Sequence, residues 1–213
     1  MRELATTLTD YLLTAVCVLC AWRLASASVR ARFYGPAVFF AGFAAAALVG
    51  GTWHGFFSEE ETLAQQLVWW LAMLFAGVTA SGLALSGLEL LGVRALRGPV
   101  LLLATLLAIY ALLAWRDPRF LLSLIVSVVA TLVCVAGLVR RLRGPDTRGA
   151  ILALAGLGVS VLAALAQQQR VAIDRVHFDH NATYHLLLLP ALGLLFAGFL
   201  RIARARAAQR GAS

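Results

Sequence analysis

A bundle of seven membrane-spanning helices forming a single domain over residues 1–213 is the fold class this sequence predicts, and three observations predict it. Apolar residues make up 62% of the chain and charged residues only 13%, whereas a soluble domain carries about a quarter charged residues to cover its surface. Seven separate apolar runs come close to or exceed the roughly 20 residues that a helix needs to cross hydrocarbon. Arginines gather at alternate ends of those runs. None of the runs alternates with the period of a strand, and helices or closed barrels alone satisfy a backbone without water.

The first helix is expected over Leu8–Ala27. Ala25-Ser26-Ala27 resembles a signal-peptidase site after an apolar run, but Arg2 is offset by Glu3 and Asp10, so the positive leader charge is missing. Cleavage would also strand Arg30 and Arg32 on the wrong side, so the segment is read as a transmembrane helix. The second helix is expected over Pro36–Phe57 and the third over Leu63–Leu85. Ser58-Glu59-Glu60-Glu61 precedes the third and is the chain's only acidic run. Ser58 and Glu61 have the spacing of a capping box, and acidic residues suit the positive end of the helix dipole.

The fourth helix, Pro99–Trp115, and the sixth, Ala150–Ala166, are short, so they are expected to stand near the membrane normal or to extend into their flanks. The fifth covers Phe120–Val139, between Arg119 and Arg140, and the seventh Ala182–Ala203. Gly50-Gly51 and the four-residue pairs Gly77/Ser81 and Gly156/Ser160 are small enough for helices to approach closely. Trp22, Trp69, Trp70 and Trp115 sit toward span ends and read as interfacial anchors. Cys17, Cys20 and Cys134 lie inside apolar spans and read as small fillers. Glu89 is the one acidic residue near an inner helix end, where Arg94 is its expected partner.

Every basic side chain is Arg, for there is no Lys. Thirteen arginines follow the odd-numbered helices: Arg23, Arg30, Arg32, Arg94, Arg97, Arg140, Arg141, Arg143, Arg148, Arg201, Arg204, Arg206 and Arg210. Five lie on the other side: Arg2, Arg116, Arg119, Arg170 and Arg175. By the positive-inside rule the amino terminus is outside and the carboxyl terminus cytoplasmic. The net charge of +8 is therefore a topology signal and no nucleic-acid footprint; the expected partner is membrane lipid. An Arg-only chain rich in Ala, Leu and Gly points to a bacterial plasma (inner) membrane.

Three of the four histidines fall within nine residues, in His177-Phe178-Asp179-His180-Asn181-Ala182-Thr183-Tyr184-His185. The fourth, His54, follows Trp53 near the end of the second helix. With the amino terminus outside, that helix runs outward and the seventh runs inward, so His54, His180 and His185 share one depth. Three imidazoles plus water make an open zinc site. On an ideal helix positions 180 and 185 stand about 140° apart, so His180 converges with His185 only from a non-helical lead-in capped by Asp179 or Asn181. The alternative ligand set is His54, His177 and His185. Asp179 and Glu61 are the candidate proton acceptors, and Asn181, Tyr184 and Trp53 the supporting residues.

A histidine at the outer end of helix two, polar or acidic residues opening helix three, and histidines opening helix seven resemble the CREST-like superfamily of seven-helix hydrolases, which includes the alkaline ceramidases and progestin/adiponectin receptors. The resemblance rests on helix count and these few positions. It implies a zinc ion held by His54 and two histidines of the seventh helix, with water attacking a lipid amide or ester. Gly50 stands where that group has a serine, and Asn181 where it has the first histidine of H-x-x-x-H. The run from His177 to His185 is also similar to a family of uncharacterised bacterial seven-helix membrane proteins.

Three function classes emerge: a zinc-dependent hydrolase of an amphipathic lipid at the outer leaflet, a non-enzymatic metal-binding or proton-responsive sensory protein, and a haem protein with His54 and His185 as axial ligands. A retinal protein is excluded, because its Schiff base needs a lysine.

Overall fold

The computed structural model describes residues 3–58, 62–93, 95–117, 119, 121–144, 147–174 and 177–211. Seven helices run through them: α1 (Leu4–Ala31), α2 (Gly35–Thr52), α3 (Leu63–Leu90), α4 (Arg97–Arg116), α5 (Leu121–Arg141), α6 (Thr147–Gln168) and α7 (His180–Gly211). All seven are long and apolar enough to cross a membrane, so the chain is an integral membrane protein built as a seven-helix bundle. Most helices outrun the apolar spans expected for them. Hydropathy marks the part of a helix that crosses lipid, whereas the hydrogen-bond ladder continues into polar residues such as Thr6 and Thr7. The fourth and sixth helices gain their length this way, reaching 20 and 22 residues.

Helix neighbours follow α1–α2–α3–α5–α6–α7, and α1 packs back on α7 to close the ring. α4 stands outside that ring against α3, and only its Tyr110 and Ala114 are buried. Tyr110 fastens it: the hydroxyl donates to the Met73 carbonyl at 2.8 Å and meets Ser123 Oγ at 2.5 Å, tying α3, α4 and α5. Trp70 Nε1 donates to the Ala111 carbonyl at 2.9 Å across the same α3–α4 contact. Antiparallel succession places the starts of α1, α3, α5 and α7 at opposite ends from their finishes. One end of the bundle thus collects the first turns of α1 and α7 with the last of α2.

Close approach between helices depends on residues without side-chain bulk, because packing rather than the hydrophobic effect holds helices together in lipid. A methyl group on Gly156 would lie 2.7 Å from the Ala191 carbonyl oxygen, and one on Gly51 2.8 Å from Asp10 Cβ. The first contact seats α6 on α7 and the second brings α1 against α2 at its acidic residue. Phe40, Phe199, Leu13 and Leu192 fill the bundle between its ends, and Phe33 plugs the link between α1 and α2, each almost wholly buried.

One expectation at a helix end is corrected. α3 is capped by Thr62, whose side chain accepts the Gln65 N–H at 3.2 Å. The capping pair is therefore Thr62 and Gln65, and Ser58 instead turns back to the His54 carbonyl at 3.4 Å. Glu61 lies outside the described residues. Arg94 also lies outside them, which leaves the described contacts of Glu89. Its carboxylate accepts the N–H groups of Tyr34 at 2.8 Å and Gly35 at 2.9 Å. An anion there satisfies orphan donors at the start of α2 and complements its dipole.

Gly156→Ala is expected to lower thermal stability in detergent by about 1–3 kcal/mol, the usual cost of overpacking. Gly158→Ala, on the same helix but facing open space, should leave the melting temperature unchanged or raise it slightly. Equal melting of the two variants would contradict the α6–α7 contact.

Candidate functional site

The first turns of α1 carry Glu3, Thr6, Thr7 and Asp10, spaced to lie on one helical face. Thr6 and Thr7 are each 1% exposed and Asp10 5%. Hydroxyl groups survive there by bonding to their own helix: Thr7 Oγ1 donates to the Glu3 carbonyl, and Thr9 Oγ1 lies 2.9 Å from the carbonyls of Ala5 and Thr6. A carboxylic acid has no such local solution and must find its partner across the bundle.

That partner is His185, on the second turn of α7. Its Nε2 lies 3.4 Å from Asp10 Oδ1, and its Nδ1 lies 3.0 Å from Thr9 Oγ1. Both ring nitrogens are thus engaged by α1. A Thr9 hydroxyl whose proton goes to a backbone carbonyl can only accept from the ring. Nδ1 then carries hydrogen, and a second proton is required between Nε2 and Asp10. If the hydroxyl instead donates to Nδ1, Nε2–H alone faces the carboxylate. The contact therefore has two protonation forms with the same heavy-atom geometry.

His54 forms a second imidazole–carboxylate pair beside the first. It lies in a π-helical turn, Trp53–Phe57, that widens the end of α2; such turns occur often at functional sites. Its Nδ1 pairs with Glu3 Oε2, and the two side chains are 17% and 33% exposed. His54 is within electrostatic reach of His185, and Glu3 of Asp10. Gly50 lies beside the same carboxylate, and a methyl group on it would make an ordinary contact of 3.8 Å with Asp10 Oδ2.

The other expected site residues take separate places. Asp179 is the N-cap of α7: Oδ1 accepts the Ala182 N–H at 2.9 Å and also the Thr6 hydroxyl at 3.0 Å. It ties α7 to α1. His180 opens α7 itself, with no non-helical lead-in, so helical geometry turns it about 140° from His185. His177 stands on the exposed loop, its Nδ1 2.8 Å from Asp174 Oδ2. Asn181 accepts from Gln167 Nε2 at 3.0 Å, joining α6 to α7. The Tyr184 ring lies 5.5 Å from that of His185. Among the described residues, no group of three or more His, Cys, Asp or Glu side chains is arranged to hold a metal ion.

Sequence reasoning missed Glu3, Thr6, Thr9 and Asp10 as site residues, weighing the two acids only as charges near a terminus. The legible signal was their helical spacing, together with an ionisable residue inside an apolar run. Next to His54, Trp53 presents its ring edge-on to the imidazole at 5.1 Å and lies 4.8 Å from the Trp69 ring. Trp53, Trp69, Trp70, Trp115, Gln65 and Gln66 line a cleft of about 520 Å³ at this end of the bundle. Trp53 Nε1 is buried there without a hydrogen-bond partner.

Two imidazole–carboxylate pairs thus lie side by side at one end of a seven-helix membrane bundle. The chain belongs to a family of unknown function (DUF6962), which it matches over residues 5–204. No curated protein and no solved structure matches it.

Removing the Thr6 hydroxyl by Thr6→Val should cost about 1 kcal/mol, the net value of one hydrogen bond. Asp179→Ala removes both this tether and the helix cap, and should cost roughly 2 kcal/mol. Thermal melts in one detergent would check the order. A Thr6→Val loss equal to that of Asp179→Ala would mean that the cap contributes nothing.

Proposed function

We propose that the protein is a hydrolase of a bacterial plasma membrane, cleaving an ester or amide bond of an amphipathic lipid at the outer leaflet. The observation that carries this reading is the Glu3–His54 pair, separated from the tryptophan-lined cleft only by Trp53. Orientation follows from the arginine bias, which puts this end outside. A lipid headgroup and the first part of its chain would occupy the cleft, with Gln65 and Gln66 as polar contacts and the indoles as apolar walls. His54, its ring oriented by Glu3, takes a proton from the attacking water as the carbonyl carbon gains the oxygen. The proton passes to the departing amine or alkoxide, leaving a carboxylic acid and an amine or alcohol. Asp10 and His185 hold α1 and α7 in place behind it and can carry a further proton.

Zinc enters the same proposal through one feature. A histidine whose Nδ1 is held by a carboxylate has its other nitrogen oriented for a metal. In that form His54 would be a ligand and no longer the base; it and His185 would hold the ion with His180 or His177, each of which would have to leave its place in this structure, and His185 would have to release Thr9 or Asp10. Bound zinc supplies hydroxide by lowering the pKa of its water to about 7.

In proteoliposomes, the wild type is expected to cleave a panel of ester- and amide-linked amphiphiles. His54→Gln should lower kcat/KM roughly 10²–10⁴-fold, the range for loss of a general base, while ligand quenching of the cleft tryptophans persists. Zinc measured in the purified protein should fall in His54→Ala. A wild type that cleaves no member of the panel removes the hydrolase reading, and metal content indifferent to His54 removes zinc from it.

A second reading, a proton-responsive sensory protein, is favoured by the Asp10–His185 contact, since two buried groups sharing protons can convert a pH change into a shift of α1 against α7. Imidazole ¹⁵N spectra should then show His185 changing protonation across the pH range in which the protein stays folded, and lose that transition in Asp10→Asn. An imidazole of constant protonation across that range would end this reading.

A further inference from the structure

The opposite end of the bundle has a charged cleft that the proposed chemistry does not use. It has a volume of about 280 Å³ and is lined by Glu89, Gly92, Arg141, Arg206, Gln209 and Arg210. Among the described lining residues three guanidinium groups face one carboxylate, which lies within attractive reach of Arg206. That carboxylate is already committed, because both oxygens accept backbone N–H groups at the start of α2. Arg206 stacks on the Phe33 ring at 5.2 Å and reaches the Glu89 carbonyl at 3.4 Å. It also lies within repulsive reach of Arg141 and Arg210.

Arg141, at the last position of α5, is the informative member. Its Nε and Nη2 are buried and have no hydrogen-bond partner among the described residues. Its neighbour Arg140 instead reaches the Leu91 carbonyl. A buried guanidinium donor without an acceptor costs more than an ordinary missing hydrogen bond, and like charges gathered round it add to that cost. Nε and one Nη form the edge of the guanidinium fork that fits two oxygens of a tetrahedral oxyanion. Gln209 adds a neutral donor at the rim.

We infer that this cleft is a binding site for a phosphate group, with Arg141 making the forked contact and Arg206 and Arg210 supplying the surrounding positive charge. The phosphate has two possible sources, an anionic phospholipid headgroup or a free phosphate ion. Basic pockets between membrane helices bind headgroups by this chemistry. The inference is independent of what happens at the histidine end.

The test uses the full chain purified in detergent, as wild type, Arg141→Gln, Gln209→Glu and Arg143→Gln. Gln209→Glu adds a carboxylate at an exposed position of the cleft, so it opposes an anion without disturbing the core. Arg143 is exposed at the same end and outside the cleft, so its variant controls for general positive charge. Thermal melting is followed against inorganic phosphate, and lipid retention by native mass spectrometry after exchange into phosphatidylglycerol or phosphatidylcholine micelles. Stabilisation by inorganic phosphate that weakens roughly tenfold in Arg141→Gln and Gln209→Glu, as for one lost charge-assisted contact, supports a free-phosphate site. Selective retention of phosphatidylglycerol, lost in the same two variants, supports a headgroup site. Binding of neither probe by the wild type, or equal loss in Arg143→Gln, overturns the inference.

Discussion

A carboxyl group carried into the interior of a membrane protein must be neutralised, hydrogen-bonded or both, and Asp10 is such a group. It reaches the His185 imidazole on the last helix of the chain, and the contact can form only where α1 lies beside α7. Closing the ring in this way also brings Thr9 to the other nitrogen of the same imidazole and Thr6 to the cap of α7. α2 joins because Gly51 lets its backbone approach Asp10 directly. The polar cluster is therefore both a consequence of helix order and a condition on it. Breaking the pair by removing one partner leaves a buried ionisable group uncompensated, which costs far more than a surface contact.

Polarity is divided between the ends of the bundle by sign. One end brings together imidazoles and carboxylates, groups between which protons can pass. The other has guanidinium groups, which stay charged, around a single carboxylate engaged by backbone donors. Each end uses a helix start: Asp179 caps α7 at the first, and Glu89 caps α2 at the second. Carboxylates at helix starts satisfy orphan N–H groups that lipid cannot. Asp179, a candidate for proton transfer on sequence grounds, is occupied by this structural task.

The two tryptophan roles differ in the same physical way. Trp22 is 64% exposed on the outside of the bundle. Trp53, Trp69, Trp70 and Trp115 instead face one another around a cleft. Position near a span end was visible in the chain, but clustering was not, because residues 53 and 115 meet only through α4 packing outside the ring. α4's peripheral place has no local signal, since its apolar run resembles the others.

Hydrophobic run length is a local property, imposed by the thickness of hydrocarbon and the backbone's need for internal hydrogen bonds. The sequence by itself therefore determined seven spanning helices and a common depth for His54 and His185. Helix ends were less legible: Thr62 rather than Ser58 caps α3, because several hydroxyls can serve and packing selects among them. The partners of the histidines belonged wholly to the tertiary structure. Glu3 lies 51 residues from His54 and Asp10 most of the chain from His185, and side-chain pairing depends on which helices adjoin and how each is rotated. Only packing of the complete ring decides that, through close approach at small residues such as Gly51 and Gly156.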